Sequence, residues 1–123
     1  MRDEGVGSDL RGRTKHFALR ILRLFAALPA RTDAQVLGRQ LVRSGTSVGA
    51  NYREASRARS NAEFVAKVGD VLKELDETAY WLELLAESQI LPLERLAALQ
   101  DECDQLIAIF TTIVKKVKAR TPK

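Results

Sequence analysis

The sequence predicts an all-α protein, an antiparallel up-down-up-down four-helix bundle. Three observations point there. Apolar residues recur at intervals of three and four in four separate segments, the spacing that lines one face of a helix. No segment alternates apolar and polar residues with the period of two that marks a half-buried strand. The only prolines, Pro29, Pro92 and Pro122, fall where an apolar period stops, as helix punctuation does. At 123 residues the chain is sized for a single domain, 1–123, around one core.

The first helix is expected over about 14–28, where Phe17, Ile21, Leu24, Phe25 and Leu28 form one stripe before Pro29. The second is expected over about 34–59. Thr32-Asp33-Ala34-Gln35 reads as a capping box at its start, and Leu37, Leu41, Val48, Tyr52 and Ala55 continue the stripe. Its weak point is Ser44-Gly45-Thr46-Ser47 followed by Gly49, because each interior glycine costs about 1 kcal/mol against alanine. Two readings are open: two helices split near Gly45, or one helix whose small residues admit a neighbouring backbone. The stripe keeps its phase across the gap, which favours one helix. Ser60-Asn61-Ala62-Glu63 is a second capping box and opens a third helix over about 61–88, with Phe64, Val68, Val71, Leu72, Leu75, Ala79, Leu82 and Leu85 as its stripe. Ile90-Leu91-Pro92 breaks the pattern. The fourth helix, over about 93–119, carries Leu96, Leu99, Cys103, Leu106, Ile107, Phe110, Ile113, Val114 and Val117. The segments Met1 to Leu10 and Arg120 to Lys123 are expected to fray, which leaves the first helix the shortest.

Composition narrows the function classes. Apolar residues are 46% and charged residues 29%, with 20 Lys and Arg against 16 Asp and Glu, a net charge of +4. One cysteine, Cys103, excludes a disulfide within the chain, and one cysteine with one histidine, His16, cannot build a standard zinc site. No apolar stretch approaches the roughly 20 residues of a membrane span. Met1-Arg2-Asp3-Glu4-Gly5 lacks the apolar stretch of a signal peptide, so a cytoplasmic protein with no membrane partner is expected. No catalytic motif is present, and a non-enzymatic protein without cofactor or metal is expected.

The charge is segregated along the chain. Residues 1–60 hold 12 basic and 5 acidic side chains, 61–114 hold 3 and 11, and 115–123 hold 5 and none. One reading is intramolecular, with the basic second helix against the acidic third and the basic tail at a helix C-terminus. The other is a basic surface for phosphate, made by Arg11, Arg13, Lys15, Arg20 and Arg23 of the first helix with Lys115, Lys116, Lys118 and Arg120 of the tail. The start of the first helix and the end of the fourth share one end of an up-down-up-down bundle, so the two groups can join. No aromatic residues interleave with them, so stacking on single-stranded bases is not indicated.

Two polar rows lie beside the core stripes. Gln40, Arg43, Ser47, Asn51 and Glu54 share one face of the second helix, and Lys67, Asp70, Glu74, Glu77 and Trp81 share one face of the third. Such rows suit hydrogen bonding between helices or between subunits, with Arg43 and Arg57 as partners for Glu74 or Glu77. The second and third helices thus carry more ordered faces than a lone bundle buries, which is the residue-level case for assembly. A magnesium-dependent nucleotide hydrolase is a further alternative, with Glu74 and Glu77 as half a site and Asp101, Glu102 or Asp104 as the other half. His16 lies outside the Glu-x-x-His pairs of di-iron bundles and reads as a surface residue. Cys103 lies in an apolar stripe and reads as a buried small hydrophobe. Tyr80 and Trp81 are adjacent and point to different faces.

The stretch from Arg43 to Arg57, and within it Ser47-Val48-Gly49-Ala50-Asn51-Tyr52-Arg53-Glu54-Ala55, then Phe64 and the run from Leu72 to Leu85, resembles the bacterial four-helix bundle proteins called 23S rRNA intervening-sequence proteins. The resemblance extends from about Phe17 to Val117. That family is similar in turn to the accessory protein of diversity-generating retroelements, a ring-shaped homopentamer that binds nucleic acid and a reverse transcriptase. The resemblance implies a ring-shaped homopentamer of antiparallel bundles without a catalytic site. It also implies that Arg43, Ser47, Asn51, Glu54, Arg57 and Glu74 hold helices or subunits together. The expected partners are therefore other copies of the chain, with RNA or DNA or another protein beside them. The expected function is a nucleic-acid-associated adaptor that contacts phosphate without reading bases. The alternative is a purely structural protein–protein assembly module.

Overall fold

The computed structural model describes residues 4–121. Four helices follow one another: α1 (Glu4–Ala26), α2 (Thr32–Ala55), α3 (Asn61–Glu87) and α4 (Leu93–Arg120). No strand occurs among the described residues. Five-residue connections at 27–31, 56–60 and 88–92 are short enough to force consecutive helices antiparallel. Each of α2, α3 and α4 packs along the helix before it, and α1 meets α4 at few points. No helix among the described residues is long and apolar enough to cross a membrane.

The core is the sum of the four stripes. Phe17, Ile21, Leu41, Val48, Val68, Val71, Leu75, Leu82, Leu85, Leu96, Cys103, Leu106 and Phe110 are fully buried. Tyr52 of α2 and Phe110 of α4 meet across the diagonal with ring centroids 5.5 Å apart and planes tilted by 59°, within the separation at which aromatic pairs attract.

Several boundaries differ from the sequence expectation. The largest difference is at α1, which begins at Glu4 rather than near residue 14. The segment up to Leu10 was expected to fray, yet Leu10 is only 2% exposed. It extends the stripe backwards through Thr14, which is also buried and whose hydroxyl donates to the Leu10 carbonyl at 2.8 Å. The glycines and charges around Leu10 hide these nearly three extra turns in the sequence. Consequently α1, at 23 residues, is nearly as long as α2, at 24. Met1 to Asp3, Pro122 and Lys123 lie outside the described residues.

At α2 the expected Thr32 capping box does not form. Arg31 occupies the cap position in an extended conformation without a side-chain cap bond. Asp33 accepts from the Ala34 backbone N–H at 2.9 Å and pairs with Arg31, while Gln35 donates to the Pro29 carbonyl at 3.1 Å. The Arg31 guanidinium holds the Asp33 carboxyl below its ordinary value. The helix ends at Ala55, not near residue 59, because Ser56 caps it and the chain turns towards α3. At α3 the Ser60 hydroxyl accepts from the Glu63 N–H at 3.0 Å, as the sequence indicates. Gln89 takes a φ of 60°, the left-handed position that closes a helix, and Ile90 and Leu91 then bury themselves before Pro92.

Between its ends α2 is unbroken through Gly45. A Cβ on Gly45 would lie 2.8 Å from Ile21 Cγ1, and one on Gly49 would lie 3.2 Å from Thr14 Oγ1. The glycines therefore mark the line along which α1 crosses α2. The close approach recovers in packing what local helix propensity loses.

Candidate functional site

The two polar rows meet in one seam. Their register follows from the antiparallel contact of α2 and α3, in which residues 43, 44 and 54 of one helix face 74–77, 78 and 67 of the other. Arg43 is the centre of the seam. Its Nη1 donates to Glu74 Oε1 at 3.3 Å, its Nη2 to Glu77 Oε1, and its Nε to Gln40 Oε1 at 3.2 Å. About three helical turns along, Lys67 Nζ donates to Glu54 Oε1 at 2.7 Å, and that carboxylate raises the affinity of the ammonium for its proton. Under these pairs, Thr78 Oγ1 donates to Ser44 Oγ at 2.8 Å, and both groups are fully buried.

Five of the eight interface residues expected from the sequence are thus engaged within one chain. Arg43, Glu74, Glu77 and Glu54 bridge α2 and α3, and Ser47 turns its hydroxyl back to the Arg43 carbonyl at 2.6 Å. Asn51 is half-buried in the same seam. Trp81 is half-buried against the core, stacked at a tilt on Tyr80 with centroids 5.2 Å apart, and its indole N–H is buried without a hydrogen-bond partner among the described residues. Arg57 stands apart, exposed in the α2–α3 connection.

The basic residues divide. Arg13 does not face solvent as a free cation. Its guanidinium forks onto Glu102 at 2.7 and 2.8 Å and reaches Gln105 at 2.8 Å, and this pair closes α1 onto α4. The guanidinium holds the Glu102 carboxyl below the usual carboxylate range against the opposing effect of burial. Lys15 and Arg23 are exposed and Arg20 half-buried along α1. Arg11 is exposed nearest the tail. At the far end of α4, Lys115, Lys116, Lys118 and Arg120 are exposed, and none of them forms an ion pair with a described residue. Asn61 Nδ2 donates to Thr121 Oγ1 at 3.2 Å. That bond ties the first residue of α3 to the end of α4, so the connection that carries exposed Arg57 and Arg59 lies at the same end of the bundle as the tail. Arg59 escaped the sequence reading, although a pair of arginines just before the Ser60 cap was its signal.

The depressed Glu102 value carries a sign. A carboxylate whose folded pKa lies below its unfolded value, about 4.3, stabilises the fold above that value and loses the contribution as pH falls through the folded pKa. The loss caused by Arg13→Ala is therefore expected to be full at neutral pH and to shrink steadily below about pH 4.5. Denaturant unfolding of both proteins across that range measures it. A loss that does not change with pH would show that the pair contributes nothing.

The carboxylates named for a hydrolase site do not gather. Glu74 and Glu77 face Arg43, Glu102 faces Arg13, and Asp104 lines an open groove between α3 and α4 with Asp76, Ala79, Tyr80, Glu83 and Gln100. The carboxylates of the hydrolase alternative thus lie in three separate seams. No three His, Cys, Asp or Glu side chains among the described residues are arranged to hold a metal. Burial pushes the Cys103 thiol up to about 12, and its Sγ lies 3.4 Å from the Leu75 carbonyl. It therefore stays a protonated core group, without the thiolate a nucleophile needs.

A family model described as 23S rRNA-intervening sequence protein matches residues 9–112. A crystal structure of a protein of unknown function from the S23 ribosomal protein family of Bacteroides thetaiotaomicron superposes with a TM-score of 0.82 at 35% identity, covering 89% of this chain and 97% of that one. No curated protein matches the chain.

Proposed function

Because the chain belongs to the 23S rRNA-intervening sequence protein family, we propose that it is a non-enzymatic oligomeric adaptor that holds nucleic acid by its phosphates. The supporting observation is the Asn61–Thr121 bond, which puts the connection that carries Arg57 and Arg59 at the same end of the bundle as Lys115, Lys116, Lys118 and Arg120. Six cations on one end of the bundle, none paired within the described chain, form a surface suited to a polyanion. The end carries no aromatic residue in the connection or the tail, so the contact is electrostatic and indifferent to sequence. The family description refers to an intervening sequence of 23S rRNA, so RNA is the polyanion to test first. In this reading the chain works as several copies, in the ring of five that the resemblance implies, and a ring would set several basic ends side by side.

Affinity for a single-stranded RNA is expected to fall linearly with the logarithm of salt concentration, by about 0.7 per phosphate contacted. Arg57→Glu with Arg59→Glu is expected to weaken binding at low salt and to reduce the slope by about 1.4. Fluorescence anisotropy over a salt series measures both. No retention of RNA even at low salt would overturn the proposal and leave the protein–protein module.

A further inference from the structure

Most charged residues of the α2–α3 rows are already paired inside the chain, which directs attention to other surfaces for contact between copies. Large apolar side chains are exposed at Leu19, Leu22, Val36, Tyr80 and Leu93, and two of the surfaces that carry them match in shape and charge. The outer face of α1 carries Lys15, Leu19, Leu22 and Arg23, spaced to share one side of the helix. Leu19 is 40% and Leu22 43% exposed, although the opposite face of α1 is fully in the core. The second surface is the open groove between α3 and α4. Asp76 and Glu83 flank Ala79 and Tyr80 on its α3 wall, and Asp104 stands on its α4 wall. Tyr80 is 52% exposed there.

We infer that the outer face of α1 of one copy lies in the α3–α4 groove of the next. Both surfaces have the same plan, an apolar centre between charged ends. On α1 the cations stand eight residues apart, about 12 Å along the axis, and on α3 the carboxylates stand seven apart, about 10.5 Å. Leu19 and Leu22 cover Ala79 and Tyr80, while Lys15 and Arg23 meet the carboxylates. Charge complementarity selects the occupant: a basic amphipathic helix fits an acidic groove, and this chain presents one. The ridge and the groove are different parts of the surface, so the contact runs head to tail and closes into a ring when the rotation between copies permits. The inference rests on the oligomeric reading above and gives it its surfaces.

The test is the solution mass of the full chain, by light scattering at low salt. The wild type is expected at a multiple of 13.7 kDa. Lys15→Glu with Arg23→Glu is expected to give the single-chain mass, and so is Asp76→Lys with Glu83→Lys. All four changes in one chain are expected to restore the assembly, which also shows that the reversed surfaces still fold. A wild type that is itself monomeric would overturn both this inference and the oligomeric reading. An assembled wild type whose two double variants stay assembled would overturn this inference alone. Monomeric double variants without rescue in the fourfold chain would also overturn the pairing of these two faces.

Discussion

Truncating Phe110 to alanine is expected to cost about 3–5 kcal/mol of folding free energy. The ring is fully buried and sits on Tyr52 across the diagonal of the bundle, so its removal leaves a cavity bounded by helices that are not neighbours in sequence. Closing that cavity would require α2 and α4 to approach, and α3 lies packed against both. The aromatic pair adds about 0.5–1.5 kcal/mol beyond area, which places the expected loss towards the upper end. Total stability of a protein this size is about 5–15 kcal/mol. Urea unfolding at fixed protein concentration is expected to show a large fall in midpoint with little change in slope. A cost below about 1 kcal/mol would mean that α4 does not pack as described.

Gly45→Val is expected to cost about 2–3 kcal/mol, with a fall in melting midpoint of about 10 °C. The sign is decided by two opposing magnitudes. Replacing a helical glycine returns up to about 1 kcal/mol of backbone propensity, less for a β-branched residue. Against it, even the first added carbon lies 2.8 Å from Ile21 Cγ1 and 3.1 Å from Cγ2. Those atoms are at the branch of a fully buried side chain, not at its flexible end, so α1 itself has to move. Gly45→Ala is expected to lose less, since it has the larger propensity gain and no branch. Calorimetry of the two variants gives the order. A valine variant as stable as the wild type would show that α1 crosses α2 elsewhere.

The glycine is also where local and tertiary reasoning part. Read by propensity alone, Gly45 and Gly49 weaken α2, and a split helix stays open. Phase of the apolar stripe across the gap favours continuity, and that is a tertiary signal seen through the sequence: the stripe persists because one core runs past it. The α1 boundary shows the opposite failure. Leu10 and Thr14 are on the stripe, but single apolar residues among glycines and charges do not announce a helix until α2 is there to cover them. The Thr32 box has the right residues at the right spacing, yet Arg31 and Asp33 satisfy the helix start differently. At Ser60 the hydroxyl half of the same pattern forms, accepting from the Glu63 N–H.

The candidate sites were legible as rows and not as partnerships. The helical period puts Arg43 and Glu54 on one face and Glu74 and Glu77 on another, whatever else the chain does. That Arg43 closes on those glutamates depends on how far each helix is rotated about its own axis. Arg13 and Glu102, 89 residues apart, gave no sign of each other, so a cation assigned to phosphate proved to be a clasp between α1 and α4. Arg59 joined the basic end only because α3 begins where α4 stops.

Spacing within a few turns of one helix was enough to give the number of helices, their approximate breaks and most of each stripe, while the start of α1 with Leu10 and Thr14 lay beyond it. The tertiary structure alone decided which charges are consumed in pairs and which stay exposed together, because that depends on the rotation and offset of packed helices. Those are settled by side-chain fit at the crossings, Ile21 over Gly45 and Tyr52 against Phe110, between residues too far apart in the chain for any local pattern to connect.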